Sequence, residues 1–542
     1  MGTADISFGP WKSLVDFSDS DGSHPYKITG AFITKEGKLR RKYGSKIRNS
    51  SDIYGGAGTP AMSIFELRFT TDAINTGRFV VHTNADWKEV DLYSGTYAHY
   101  SIYTRSASQP NTQACMFADQ AIFVDGGVPQ KATVATHTWT ASNLSADGSM
   151  PQDSTACYSF GSRLWLNSAA NPMKAYGSKV GVANASDSWS KANDSVVIDF
   201  TTVLPGGDTL LGFNQIGDSY LLFIFRRHIC VYEAPADFSA IRKVQLLNFG
   251  ALSNHYVKRC ESDTYVVNEF GLISLGSEIA NQRATPVSLI QNESVLAPLL
   301  RCTLGQSYNG NLVYYPRYGH LYFAVPLSQS FDSTNPLRVA FDIQMKNIVG
   351  DIAGNGDFGA VGFRGALFYV SAKNVLEWFF DSRSSTAGAA ILSESVAYNS
   401  TDLASGSAIA SIIYFRNRNQ AVGRVKQYKQ GLIRASILKD SGYGGSFDST
   451  VHALSFLVAA SINDSFSGGV ALEPTFPNTM AALGLVVPFK YASVLAIDPI
   501  IALYFGVNFN SADKVTFAEF ENISLFGNIL GQNAARVTAG EP

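Results

Sequence analysis

The sequence predicts an all-β fold: a β-propeller-like domain of about seven blades, with an N-terminal arm and an additional C-terminal β domain. Three observations support this prediction. Short apolar runs bounded by Gly, Asn, Asp and Ser dominate the chain, which is typical of strands and turns. Helical periodicity is nearly absent, and its best stretch runs from Ser277 to Leu300. The apolar runs also recur at a nearly constant spacing.

This spacing is what indicates a propeller. The centres of the recurring runs are Phe79, Ile122, Leu164, Ile229, Ile273, Leu321 and Leu367. Five of the six intervals between them fall between 42 and 48 residues, and a four-stranded blade repeats every ~40–50 residues. The remaining interval, 65 residues, indicates an insertion in the segment 169–204. A tandem of β-sandwiches is the alternative, but its strands recur at ~8–12 residues without this longer period.

Several runs occur as pairs separated by turn residues, which predicts hairpins within the blades. Four such pairs are Phe79–His82 with Trp87–Leu92, Leu221–Phe225 with His228–Tyr232, Tyr265–Val267 with Leu272–Leu275, and Leu312–Tyr315 with Leu321–Val325. Successive hairpins of this kind build the antiparallel sheet of a blade.

The domain boundaries follow from where this rhythm begins and ends. The small polar segment 381–390 interrupts it, and the apolar runs beyond are longer and less regular. We therefore predict an N-terminal arm over 1–50, the propeller-like domain over 51–387 and a C-terminal β domain over 388–542. Within the arm, Tyr26–Ile33 and Lys38–Tyr43 predict a basic hairpin that turns at Lys35–Gly37.

Composition excludes several classes of protein. Only 16% of the residues are charged and 12% are aromatic, whereas a disordered chain is rich in charge and poor in aromatics. The net charge of −2 excludes a wholly basic nucleic-acid coat. Five scattered cysteines favour a reducing cytosol. We expect neither a signal peptide nor stable membrane insertion, because no suitable apolar segment is present.

Local motifs of catalysis are missing. No two of the eight histidines lie within five residues of each other, so a sequence-local zinc site is ruled out. The P-loop, the nucleophile elbow and the Asp-box pattern are also absent. We therefore expect no catalytic residues, no metal and no cofactor, and a structural or binding protein rather than an enzyme. Paired carboxylates that meet only in the fold remain open.

Two basic clusters stand out against the sparse background of charge. The candidate assembly or DNA-facing residues in them are Lys38, Arg40, Arg41, Lys42, Arg416, Arg418, Arg424 and Lys426. Such patches can contact phosphates. They can equally form a solvated strand face or a subunit contact to acidic groups, and the sequence leaves the choice between DNA and protein open.

Part of the chain resembles a known family of viral proteins. The segments Gly22–Phe32 (GSHPYKITGAF) and Gly37–Gly44 (GKLRRKYG) resemble the opening of the tail nozzle, or packaged-DNA stabilisation, proteins of short-tailed, podovirus-type phages. The middle of the chain is similar too, at Gly161–Trp165 (GSRLW), at Asp187–Trp189 (DSW) and in the hairpin Leu221–Tyr232. By local pattern the resemblance spans about residues 15–300.

The resemblance implies a virion protein without catalytic activity. Such subunits bear a propeller and assemble as a homohexameric ring in the host cytoplasm. They attach below the portal and its adaptor ring, contact tail fibre or tail-tip proteins, retain the packaged double-stranded DNA and conduct it without sequence specificity during ejection. The C-terminal domain departs most from this pattern. The segment 169–204 and the Gly-rich turn 440–446 are our candidates for loops that close the channel.

The alternative is a carbohydrate-binding or depolymerising propeller of a tail spike, which recognises the host receptor. It requires convergent carboxylates or an aromatic platform on one face of the propeller. The basic arm favours the nozzle. The low charge also favours assembly, because the cores of protein interfaces are depleted in charge and enriched in aromatics.

Overall fold

The computed structural model describes the propeller in most detail and the C-terminal region by strand backbones. The described residues are 6–13, 23–25, 27–29, 31–41, 45–47, 63–72, 77–82, 86–93, 98–105, 112–190, 192, 194–204, 206–233, 242–281, 286–300, 311–316, 318–325, 337–350, 367–370, 375–380, 390–394, 411–416, 426–439, 454–459, 470–472, 485–496, 500–505 and 515–529. Most of these residues lie in antiparallel strands, so the predicted all-β propeller fold is confirmed.

Five short strands come first along the chain, and all of them join sheets formed by later residues. They are β1 (Ile6–Phe8), β2 (Lys27–Thr29), β3 (Ala31–Ile33), β4 (Leu39–Arg41) and β5 (Ser45–Ile47). Strands β3 and β4 pair as an antiparallel hairpin, which confirms the hairpin predicted from the basic segment.

The first four blades are four-stranded antiparallel meanders. Blade 1 contains β6 (Ser63–Leu67), β7 (Arg78–His82), β8 (Asp86–Val90) and β9 (His99–Thr104). Blade 2 contains β10 (Gln113–Phe117), β11 (Gln120–Val124), β12 (Gln130–Ala135) and β13 (Thr138–Asn143).

Blade 3 contains β14 (Cys157–Phe160), β15 (Arg163–Asn167), β16 (Lys174–Gly177) and β17 (Val196–Asp199). Blade 4 contains β18 (Leu210–Ile216), β19 (Tyr220–Phe225), β20 (Ile229–Glu233) and β21 (Arg242–Leu247).

Blade 5 differs, because two helices follow its three strands. It contains β22 (Val257–Cys260), β23 (Asp263–Asn268), β24 (Gly271–Ser274), α1 (Leu275–Asn281) and α2 (Glu293–Leu300). Both helices lie within or next to the single helix-like stretch of the sequence. Neither can span a membrane, and the described part of the chain contains no helix long and apolar enough to do so.

Blades 6 and 7 complete the propeller. Blade 6 contains β25 (Asn311–Tyr315), β26 (His320–Val325), β27 (Leu337–Asp342) and β28 (Asn347–Gly350), and blade 7 contains β29 (Leu367–Val370), β30 (Val375–Phe380) and β31 (Ala390–Glu394). The fourth strand of blade 7 is β5 from the N-terminal segment, which pairs with β31. The predicted boundary after residue 387 falls between β30 and β31 of this sheet.

Seven strands from the C-terminal region form two further groups. They are β32 (Ser411–Arg416), β33 (Lys426–Lys439), β34 (Leu454–Ala459), β35 (Val470–Leu472), β36 (Leu485–Ala496), β37 (Ile500–Phe505) and β38 (Val515–Ile529). One sheet has the order β2-β32-β37-β34-β35, and the other continues blade 6 in the order β28-β3-β4-β38-β33-β36, with β1 also paired to β38.

The tight turns between the first two strands of a blade explain the regular hairpins of the sequence. In blade 3, Gly161 and Ser162 form this turn, and both have positive φ angles, 63° and 54°. A two-residue hairpin turn of this hand requires positive φ at both positions because it must match the twist of the strands. Ala118 and Asp119 repeat the arrangement in blade 2, with φ angles of 48° and 59°.

The cores lie between neighbouring blades. Each apolar cluster combines side chains from two consecutive blades, as where Trp87 and Val80 of blade 1 pack with Phe123 of blade 2. The same holds for the clusters between blades 2 and 3, 3 and 4, 4 and 5, and 5 and 6. Because both faces of a blade are covered, its middle strands are apolar without alternation, as in Tyr220–Phe225. This packing accounts for part of the low charge.

Two details of the blade rhythm differ from a simple repeat. The centres at Phe79, Ile122 and Leu164 lie on second strands, whereas Ile229 lies on the third strand of its blade. The long interval therefore combines this shift with the connection between β16 and β17. In that connection Trp189 is buried, and its Nε1 donates to the Ala183 carbonyl at 2.9 Å.

Candidate functional site

The basic hairpin β3–β4 joins the propeller to a C-terminal strand. Phe32 of β3 pairs with Gly350 of β28, the last strand of blade 6. On the other side, Leu39 and Arg40 of β4 pair with Phe520 and Glu519 of β38. The hairpin is therefore an interior part of a sheet, with neighbours on both sides. In register, Arg40 stands directly opposite a carboxylate-bearing residue.

Side-chain contacts attach the hairpin to blade 6. Lys35 at its turn donates from Nζ to Oε1 of Gln344, at 2.6 Å. The Phe32 ring lies 5.0 Å from the Tyr318 ring and 5.5 Å from the His320 ring, centroid to centroid. A Cβ added to Gly350 would lie 2.4 Å from the Ala31 carbonyl oxygen, so this close approach requires glycine at the strand end.

The segments before and after this hairpin join its own sheet and two other sheets. Strand β1 pairs with β38 at residues 523–525, next to β4. Strand β2 pairs with β32 in the second C-terminal sheet, and β5 completes blade 7. About forty residues of sequence thus connect two blades and both C-terminal sheets. Lys38, Arg40 and Arg41 belong to this connection.

The second predicted basic cluster is only partly described. Arg416 ends β32 and Lys426 begins β33, and these strands belong to different sheets. The structure brings neither of them beside the hairpin through a direct strand pair. Lys42, Arg418 and Arg424 lie outside the described residues, as does the Gly-rich turn 440–446. A contact of the basic residues with DNA or with protein therefore stays a prediction.

A carboxylate that the sequence analysis did not single out forms a compact polar site between blades 1 and 2. Glu89, at 3% side-chain exposure, accepts from Arg78 at 3.0 Å and from Trp139 Nε1 at 2.7 Å. His137 Nδ1 lies 3.2 Å from the same carboxylate and its Nε2 lies 3.7 Å from Asp91. We call Glu89, Arg78, His137 and Trp139 the Glu89 cluster.

The Glu89 cluster connects blade 1 to blade 2. Arg78 also pairs with Asp72 at 2.9 Å and donates to the carbonyl of Thr136 in the turn of blade 2. The His137 ring stacks on Tyr100, with centroids 4.2 Å apart and planes within 7°. Both oxygens of Glu89 thus accept hydrogen bonds from donors in two blades. This arrangement suits a structural ion-pair network between the blades better than a catalytic acid or base.

A second polar site lies where the blades converge. Along the propeller, each first strand packs against the next, from β6 through β10, β14, β18, β22 and β25 to β29. The 3₁₀ turn Asn254–Tyr256 contacts β18, β23 and β25, and the His255 ring lies 6.3 Å from Phe65 of β6. One turn that touches blades 1, 4, 5 and 6 must lie at the propeller axis.

Several polar atoms around this turn have no hydrogen-bond partner among the described residues. They are Nδ1 and Nε2 of His82, Nδ2 and Oδ1 of Asn254 and Nε2 of His255. We call these three residues the axial cluster. His82 is completely buried, and Asn254 is 6% exposed. The His82 ring packs edge-on against Trp87, with centroids 5.2 Å apart.

Burial keeps the axial histidines neutral. It lowers the pKa of His82 well below its ordinary value, and the nearby Arg105 and His255 add to the effect. Burial likewise lowers the pKa of His255 to about 4. Arg105 is itself almost completely buried, 3.9 Å from Asp125. At neutral pH the axial cluster therefore presents uncharged donors and acceptors beside one cation, which suits ordered water or a small polar ligand.

The described part of the chain contains no group of three or more His, Cys, Asp or Glu side chains placed to hold a metal ion. Neither polar site was identified from the sequence. His82 and His255 lie 173 positions apart, and the members of the Glu89 cluster come from two blades. Without knowing which turns meet, no local spacing signals either site.

Comparison with known proteins gives a likeness of fold. No protein-family model matches the chain, and no curated protein matches it. Among solved structures, the RRP9 WD40 repeats align with a TM-score of 0.37 at 8% identity, over 65% of this chain and 98% of that chain. The Pan2 WD40 domain of Neurospora crassa aligns with a TM-score of 0.38 at 11% identity, over 66% and 95%. The propeller class of this chain is established by its own sheet topology.

Proposed function

We propose that the protein is a structural subunit of a short phage tail: a ring-shaped nozzle that extends the portal and adaptor channel, retains packaged DNA and conducts it during ejection. The observation that best supports this proposal concerns the N-terminal segment. The residues that resemble the opening of nozzle proteins, Gly22–Phe32 and Gly37–Gly44, include β2, β3 and β4. These strands hold the propeller and the C-terminal sheets together.

Mechanical demands on a nozzle fit this arrangement. A tail subunit transmits load between the components above and below it, and paired backbone strands connect two domains more firmly than a flexible linker. The net charge of −2 also suits a conduit, because many phosphate-neutralising contacts would hold DNA in place. Double-stranded DNA would pass without sequence-specific contacts.

The proposal includes partners and place. Six copies form the ring, portal-adaptor proteins lie above it, and tail fibre or tail-tip proteins attach to it. The subunits assemble in the host cytoplasm and act in the virion tail. No catalytic step is assigned to any residue. The Glu89 cluster, the best candidate for convergent carboxylates, gives no support to a depolymerase because donors occupy both oxygens of Glu89.

Electron microscopy of the purified chain, together with native mass spectrometry, tests the proposal. A sixfold ring with an open axial channel is the expected result. A stable monomer or trimer that cleaves or binds host glycans would overturn it in favour of the tail-spike alternative.

Charge reversal tests the role of the hairpin in attachment. The double variant Arg40→Glu/Arg41→Glu should lower incorporation into particles and the retention of packaged DNA. Its matched control is Arg242→Glu/Lys243→Glu on β21, where both residues are exposed. Thermal unfolding of both variants separates loss of attachment from loss of folding. Normal incorporation of a folded Arg40/Arg41 variant would rule out the docking role.

A further inference from the structure

Two cysteines on adjacent blades lie side by side. Cys115 is on β10, the first strand of blade 2, and Cys157 begins β14, the first strand of blade 3. These strands pack against each other, and both side chains belong to the apolar cluster between blades 2 and 3. Both cysteines are free thiols in the structure.

The backbone around the two cysteines fixes their proximity. Ile122 stands directly opposite Cys115 in the β10–β11 pair. The Cys157 Sγ lies 3.9 Å from the Ile122 carbonyl oxygen, and the Cys157 amide donates to Oε1 of Gln113 at 3.1 Å. Cys157 is therefore held over the stretch of blade 2 that bears Cys115, within the same apolar cluster.

The two cysteines differ in solvent exposure. Cys157 is 2% exposed, whereas Cys115 is half-buried. A reagent from solution would therefore reach Cys115 first, and Cys157 would be the resolving thiol. Disulfide formation proceeds through a mixed disulfide on the more accessible thiol, which a neighbouring resolving thiol then attacks.

We propose that Cys115 and Cys157 form a modification site, at which oxidation by a small disulfide such as glutathione disulfide creates a covalent link between blades 2 and 3. The Cys115 thiolate attacks one sulfur of the oxidant and displaces one glutathione thiolate. The Cys157 thiolate then attacks Cys115 Sγ and displaces the second. Two electrons pass to the oxidant, and the two thiol protons end on the two glutathione molecules released.

The environment of Cys157 sets the rate of the second step. Burial and the contact with Cys115 raise the pKa of the Cys157 thiol well above its usual value, and only the thiolate is nucleophilic. The site stays reduced in a reducing cytosol and closes slowly under oxidising conditions outside the cell. The link would then oppose the separation of two blades that pack against each other and share hydrogen bonds.

The test treats the full chain with glutathione disulfide, blocks the remaining thiols by alkylation and identifies linked peptides by mass spectrometry. We expect a Cys115–Cys157 cross-link whose formation is faster at pH 9 than at pH 7. The oxidised chain should also unfold at a higher temperature than the reduced chain. This readout does not depend on tail assembly, so it stands apart from the nozzle proposal.

Single substitutions separate the two steps. Cys157→Ser should accumulate a glutathione adduct on Cys115, whereas Cys115→Ser should form neither the adduct nor the cross-link. Cys230→Ser, a buried cysteine of blade 4, is the matched control and should cross-link like the unaltered chain. An unresolved adduct on Cys115 after prolonged treatment of the unaltered chain, or no reaction at all, would overturn the proposal. Because this result comes from the unaltered chain, it does not depend on the folding of a variant.

Discussion

The Glu89 cluster and the axial cluster are both buried polar sites of the propeller, yet their hydrogen bonding is opposite. Both oxygens of Glu89 accept from donors in two blades. In the axial cluster, both nitrogens of His82 and both amide atoms of Asn254 have no partner among the described residues. Equal burial therefore does not imply an equal contribution to stability.

This difference in hydrogen bonding indicates what each site contributes to the stability of the fold. A satisfied, charged cluster couples its members, so removing one leaves another buried and uncompensated. An unsatisfied neutral group has already lost its hydration without regaining a protein partner, so it opposes folding. The Glu89 cluster thus holds blades 1 and 2 together. The axial cluster has polar atoms without a partner among the described residues, which is typical of sites retained for a purpose other than stability.

The largest expected effect comes from breaking the satisfied cluster. Glu89→Gln removes the charge that compensates Arg78 and points an amide donor at existing donors. We expect the free energy of unfolding to fall by about 3–5 kcal/mol, the usual cost of breaking a buried ion pair. Urea denaturation followed by tryptophan fluorescence measures this change.

Its matched control is Glu66→Gln, since Glu66 pairs with Arg68 at the surface, where the side chains are 26% and 52% exposed. We expect a loss below about 1 kcal/mol there, because water screens exposed pairs. Equal losses in the two variants would show that the Glu89 cluster contributes no more than an ordinary surface pair.

The second effect is a loss of stability on acidification, and it comes from the axial cluster. Burial lowers the pKa values of His82 and His255 in the folded state, whereas the unfolded chain has ordinary histidines near ~6.5. The unfolded chain therefore binds more protons below that pH. Stability is complete above pH ~6.5 and falls as the pH decreases toward the folded values, by about 3 kcal/mol for His255.

The pH at which stability falls distinguishes these histidines from other groups. The pKa values of Asp119 and Asp199 are lowered by their bonds to Thr70 and Thr201, so their contributions disappear below pH ~4. Arg105, which contributes to the lowered pKa of His82, lies 3.9 Å from Asp125. His82→Phe and His255→Phe should each flatten the dependence between pH 4 and 6.5. An unchanged profile in both variants would mean that the axial histidines are not the groups that titrate.

Much of the fold could be predicted because the residues that form each hairpin of a blade are close together in the sequence. Each hairpin has its apolar runs and its turn within about twenty residues, so β7–β8, β19–β20, β23–β24 and β25–β26 were foreseen from spacing alone. The basic hairpin β3–β4 was found for the same reason.

The connections between distant segments could not be predicted. Strand β5 pairs with β31 more than three hundred residues later, and nothing local in Ser45–Ile47 distinguishes that partner from another sheet edge. The polar sites share this difficulty, because His82 and His255 approach each other only after blades 1 to 5 have closed around the axis. The sequence showed the basic residues Arg40 and Arg41, whereas the position of their strand inside a sheet is a property of the assembled chain.

The third effect is smaller and opposite in sign to the first. His82→Phe keeps a ring against Trp87 and removes two ring nitrogens that lack a protein partner. We expect the free energy of unfolding at pH 7.5 to rise by about 1–2 kcal/mol, since an unsatisfied buried polar group costs that amount. Urea denaturation measures it. A clear loss of stability would indicate that an ordered water or ligand satisfies His82 and that the axial cluster is a true binding site.

The smallest effect gives the cleanest comparison, because two threonines differ in one hydrogen bond. Thr112 and Thr264 are both completely buried. Thr264 Oγ1 donates to the Gln215 carbonyl at 2.7 Å, while Thr112 Oγ1 has no partner among the described residues. Replacing either threonine with valine keeps the branched shape and exchanges a hydroxyl for a methyl group.

We expect Thr264→Val to lower the free energy of unfolding by about 1–2 kcal/mol, because the Gln215 carbonyl loses its donor. Thr112→Val should leave stability unchanged or raise it by less than about 1 kcal/mol. Both variants are measured by urea denaturation at pH 7.5, where His82 and His255 are neutral. If the two substitutions cost the same, the Thr112 hydroxyl is as well satisfied as the Thr264 hydroxyl. The contrast between the two polar sites would then reduce to charge alone.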